Sequence, residues 1–77
     1  MSEQNYSIRL RNSRKQRLGL HLEPWGELHM LESGKTLCLE ATGPVGSVPN
    51  DMLEIESHDD GITVFGWGGS GVTVRYI

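Results

Sequence analysis

Between Leu18 and Ala41 apolar residues recur at every second position, and this alternation restricts the segment to β-structure. Leu18, Leu20 and Leu22 are separated by Gly19 and His21, and Leu28 and Met30 lie between Glu27, His29 and Leu31. A period of two marks a strand with one buried face. Nowhere does a 3.6-residue period appear, and ten glycines in 77 residues further disfavour helix.

Turn chemistry suggests how these strands pair. Pro24 has its φ preset for the first central position of a type I turn, and Gly26 accepts positive φ, so Pro24, Trp25 and Gly26 suit a three-residue hairpin loop. That loop sets Leu22 opposite Leu28, Leu20 opposite Met30 and His21 opposite His29. Ser33 and Gly34 suit a two-residue loop closed by Glu32 and Lys35, which sets Met30 opposite Leu37, Leu28 opposite Leu39 and His29 opposite Cys38. The two registers together predict a row of His21, His29 and Cys38 on the face away from the leucines.

The rest of the chain reads in the same terms. Met1 to Asn5 is polar and expected to be disordered. Tyr6 to Leu10 alternates as a short strand, and Asn12 to Arg17, which has no apolar residue, reads as an exposed loop. Thr42 to Asp51, with two prolines and two glycines, reads as a crossing between sheets. Met52 to Ser57 follows as a strand with Leu53 and Ile55 inward, then a turn at His58 to Gly61. Ile62 to Gly66 and Val72 to Ile77 read as a hairpin around Trp67 to Gly71, with Val64 opposite Val74 and Ile62 opposite Tyr76. The expected fold is all-β: residues 1–77 as one small antiparallel β-sandwich or partly open barrel of about seven strands joined by Gly-rich hairpin turns. A core of this size is only marginally sufficient, so any ligand site should be shallow.

Candidate sites follow from side-chain chemistry. Two imidazoles and a thiolate, with Glu27 or Glu40 as a fourth ligand, make His21, His29 and Cys38 a donor set for Zn or Cu. A straight row across three strands spans about 10 Å, which strains a tetrahedral site unless the sheet twists strongly. Trp25 and Trp67 sit in or beside turns, where they can either form an interaction surface or fold back as lids over the open ends of the core. The Gly-rich stretch from Gly66 to Gly71 lacks both the Lys and the following helix that a phosphate-binding loop needs. Ser70 lacks the strand-to-helix setting of a nucleophile elbow, and no substrate cleft accompanies Cys38, so no enzymatic activity is expected. The turn before Gly34 and Leu37 resembles hairpins of cupredoxin-like and cupin-like domains. The carboxyl end lacks the Cys, His and Met of a cupredoxin copper site, and there is no HxH of a cupin, so the resemblance implies no cofactor.

Charge is unevenly spread. The net charge is -3, yet residues 1–17 carry +4 and residues 18–77 carry -7. Arg9, Arg11, Arg14, Lys15 and Arg17 form a basic end that can contact a polyanion, but an acidic chain with only Tyr6 near those residues argues against nucleic acid. No apolar run reaches the ~20 residues of a membrane helix, and the amino end lacks the apolar core of a signal peptide, so a cytoplasmic protein is expected. Cys38 is the lone cysteine, which rules out an intrachain disulfide. The expected role is binding rather than catalysis: a protein-protein interaction module or a self-associating protein, with Zn or Cu binding and weak polyanion binding as alternatives.

Overall fold

The computed structural model describes residues 2–45 and 52–77. Among these residues there are seven strands: β1 (Ser2–Arg11), β2 (Leu18–Glu23), β3 (Glu27–Leu31), β4 (Thr36–Val45), β5 (Glu54–His58), β6 (Gly61–Phe65) and β7 (Gly71–Tyr76). They form two sheets, sheet A of three strands in the order β1-β4-β7 and sheet B of four in the order β3-β2-β6-β5. Neighbouring strands run antiparallel except β2 and β6, which are parallel. The all-β reading with seven strands therefore holds, and neither sheet closes into a barrel among the described residues. Among those residues no helix is long and apolar enough to cross a membrane.

The core follows from the alternation. Leu18, Leu20, Leu22, Leu31 and Val64 from sheet B meet Leu37, Leu39, Ala41 and Val72 from sheet A, and Ile8, Leu10, Ile62 and Val74 pack around them. Since every second residue of these strands is buried, the intervening ones form the two outer faces.

Strand pairing departs from the expected registers in three places. First, β2 and β3 pair one residue out of the predicted register: Leu18 faces Leu31, Leu20 faces His29 and His21 faces Leu28. The loop holds four residues, Glu23 to Gly26, closed by a bond from Gly26 N to Leu22 O of 2.9 Å, and the Glu23–Pro24 peptide is cis. The sequence ELHML carries apolar residues in both phases. Burial of Leu31 selects one of them and turns Leu28 and Met30 outward.

Second, β3 and β4 do not pair; they belong to different sheets. Lys35 N bonds to Glu32 O at 3.1 Å as predicted, but of the two loop residues only Gly34 has positive φ, 77°. The primed turns that match hairpin twist need positive φ at the first loop position, and Ser33 lacks it, so the flanking strands splay apart. Third, β6 and β7 part in the same way around Gly68 and Gly69, with Gly69 at φ 81° and Ser70 N bonded to Trp67 O at 2.9 Å. Val64 therefore faces Leu22 and Ile55, and Val74 faces Leu39.

At the amino end, the expected disorder is replaced by strand: Ser2 to Asn5 continue β1 and pair with Thr42 to Val45. The crossing read at Thr42 to Asp51 does change sheets, from β4 to β5, although Thr42 to Val45 still belong to β4. Residues 46–51 of that crossing lie outside the described residues. Ile55, expected inward, stands exposed on the edge strand β5.

Asn12 is the one side chain in the Asn12 to Arg17 stretch that is not exposed; it retains 1% of its accessible surface. Its Nδ2 donates to Gln16 O and Leu31 O, both at 2.9 Å, and its Oδ1 accepts from Arg14 N at 2.9 Å. Its backbone N donates to Lys35 O at 2.9 Å, and its carbonyl accepts from Gly34 N at 2.7 Å. One residue thereby ties the β1-to-β2 crossing to the β3-to-β4 crossing. Buried polar groups deprived of partners are expensive, and Asn12→Ala should lower the unfolding free energy by about 3 kcal/mol. Urea unfolding would measure this; a loss under about 0.5 kcal/mol, the scatter of ordinary surface substitutions, would remove Asn12 from its structural role.

Candidate functional site

The predicted row of His21, His29 and Cys38 does not form. His29, opposite Leu20, lies on the core side of the edge strand β3, where its Nε2 meets Glu27 Oε1 at 3.0 Å. Cys38 lies in sheet A, level with Arg9 on β1 and Arg75 on β7, and is half-buried. Only His21 faces outward from sheet B. Among the described residues no group of three or more His, Cys, Asp or Glu gathers as a metal cluster.

The fold gives His21 a different neighbour. In the parallel ladder His21 is level with Thr63, and in the β5-β6 hairpin Thr63 is level with Glu56 and Gly61 with His58. Leu28, His21, Thr63 and Glu56 thus form one row across the outer face of sheet B, with Met30, Gly19, Gly61 and His58 in the next. The His21 and His58 rings lie 5.8 Å apart between centroids at an interplanar angle of 47°. His58 Nε2 is 3.0 Å from Thr63 Oγ1, and Thr63 is only 8% exposed although it lies on an outer face.

Two glycines shape the floor beside these rings. At Gly61 (φ 149°) a Cβ would stand 2.1 Å from Gly19 O, so only glycine allows the two backbones this approach. A Cβ at Gly19 would lie 3.9 Å from His21 Nε2, which places that nitrogen over the bare row. Leu28 Cδ1 shares the space over Gly19, 3.7 Å from the same point.

The two tryptophans have different fates. Trp67 is 6% exposed, donates from Nε1 to Pro44 O at 2.6 Å and meets Tyr6 edge-on with centroids 5.7 Å apart. It closes the end of the core where the chain crosses from β6 to β7. Trp25 lies in the β2-β3 loop, remains 39% exposed and leans on Gly66, where a Cβ would fall 2.5 Å from its Cη2.

The basic residues stay together. Arg9 and Arg11 are exposed on the outer face of β1, beside the loop that carries Arg14, Lys15 and Arg17. Arg17 Nε is 3.8 Å from Glu32 Oε2, and Arg75 Nη2 is 3.3 Å from Glu40 Oε1. The strands of sheet B contain no Lys or Arg but carry Glu23, Glu27, Glu54 and Glu56, with Asp59 and Asp60 in the β5-β6 turn.

The chain matches no protein-family model, no curated protein and no solved structure. His58 and Thr63 were missed in sequence because their approach to His21 depends on β2 lying beside β6, and nothing local to either strand encodes that pairing. The part within reach was the two-residue loop Asp59-Asp60, which sets Thr63 opposite Glu56.

Burial separates the tryptophans energetically. Trp67→Ala should lower the unfolding free energy by about 3–5 kcal/mol, the range for deleting a buried large side chain. Trp25→Ala should lower it by about 1–2 kcal/mol, since less apolar surface returns to water. Urea titration of both variants checks the order; equal losses would contradict Trp67 as the closure of the core.

Proposed function

We propose that this chain is a non-catalytic protein-interaction module that associates with copies of itself, the basic outer face of sheet A in one copy meeting the acidic sheet B of the next. The observation that carries this reading is charge segregation. All seven Lys and Arg residues belong to sheet A or to the turns at residues 12–17 and 32–35, whereas sheet B and its β5-β6 turn hold six carboxylates and no Lys or Arg. Opposed fields of this kind steer association and set orientation.

Apolar surface on sheet B supports the same reading. The register of β3 leaves Leu28 56% exposed on the outer face, with Met30 beside it and Trp25 uncovered in the adjoining loop. An apolar patch framed by one sign of charge has the anatomy of an interface, with aliphatic and aromatic anchors inside a polar rim. Because the two faces differ, the contact is heterologous and builds rings or open chains rather than an isologous dimer.

Sedimentation velocity across a salt series tests this. Wild type should associate at low salt and dissociate as salt rises, because exposed charges are screened within about 10 Å at 0.1 M. Arg9→Glu/Arg11→Glu and Glu54→Lys/Glu56→Lys should each abolish association alone, and mixing the two variants should restore association, with the two variants in equal numbers. A wild type that stays monomeric at low salt and high concentration would overturn the proposal.

A further inference from the structure

We infer that His21 and His58 form a two-histidine site for a divalent ion of the Cu(II) or Zn(II) type on the outer face of sheet B. A ring nitrogen bound at about 2.0–2.1 Å puts its ring centre about 3 Å from the ion, so two rings sharing one ion have centres no more than about 6 Å apart. The observed 5.8 Å separation meets that condition without movement of either strand. The two ligands come from β2 and β5, which flank β6 on opposite sides, and the bond from Thr63 on β6 orients the His58 ring between them.

Three further features suit an ion there. With His58 Nε2 as donor to Thr63 Oγ1 at 3.0 Å, the Nδ1 lone pair is free for a metal, and the hydroxyl fixes the ring as outer partners of metal-bound histidines do. His21 Nε2 stands 3.9 Å from the point where a Cβ on Gly19 would lie, so the missing side chain at Gly19 leaves that nitrogen clear on one side, with Leu28 Cδ1 the nearest other side-chain atom at 3.7 Å from the same point. Glu56, level with Thr63 in the same row, adds negative charge that favours a cation. Two protein ligands leave positions open for water or an external donor, and imidazole donors favour Cu(II) over Zn(II) in the usual order of divalent ions. This site differs from a His21, His29 and Cys38 row and does not depend on self-association.

The test is titration of Cu(II) into the full untagged chain, followed by calorimetry and by pulsed electron paramagnetic resonance of the bound ion. One Cu(II) per chain, with two coupled imidazoles in the resonance spectrum of wild type, is expected. His21→Gln and His58→Gln should each weaken uptake at least tenfold and leave one imidazole, Thr63→Val should weaken it about tenfold through loss of the orienting bond, and His29→Gln should change nothing. Circular dichroism confirms that each variant is folded, and the wild-type spectrum stands without any variant. No uptake at stoichiometric Cu(II), a spectrum with fewer than two imidazoles, or equal weakening by His29→Gln would overturn the site.

Discussion

Both amino-terminal crossings between the sheets depend on one amide. Asn12 satisfies donors and acceptors from three places at once: its own loop, the end of β3 and the turn that launches β4. In a core made largely of leucine, which packs without directional preference, this fully bonded polar group specifies where each strand leaves its sheet. Hydrophobic burial stabilises the sandwich, whereas the Asn12 network fixes which way the chain turns at its corners. The register of β3 follows, since the carbonyl that Asn12 holds is that of Leu31, the residue whose burial decides the phase of the strand.

Strand positions were legible in the sequence because alternation is a local property, read within five or six residues. Pairing was not, for a reason visible in two turns. Ser33-Gly34 and Gly68-Gly69 both look like hairpin loops by composition, yet each has positive φ only at its second residue, and each sends the chain to the opposite sheet. The residue types permit either outcome, and the choice rests on whether the flanking apolar residues find better cover in the same sheet or across the core. In Asn12 to Arg17 the same limit applies: an all-polar stretch reads as solvated, and nothing in it marks Asn12 as the member that is buried.

The candidate surfaces were legible only in part. The basic end was plain from composition and remains together in space. The acidic character of sheet B became visible only when strands distant in the chain, β2 and β3 with β5 and β6, proved to share a sheet. His21 was correctly read as facing away from the core, but its partner changed from His29 to His58 once the register and the sheet order were known. The outward turn of Leu28 and Met30, opposite to the expected placement, is what gives sheet B an apolar patch among its carboxylates.

The parallel pairing of β2 with β6 also governs the order in which the molecule can be assembled. Antiparallel β2 and β3 are neighbours in the chain and can meet as soon as both are synthesised, but the other side of β2 waits for residues 61–65. Likewise β4, the middle of sheet A, gains its second neighbour only with β7, some thirty residues further along. Residues 61–65 must leave the ribosome before Leu20 and Leu22 are enclosed, so non-local contacts dominate, the arrangement that slows folding. Until then a growing chain carries an incomplete leucine face, and its early life is the period of greatest exposure to aggregation.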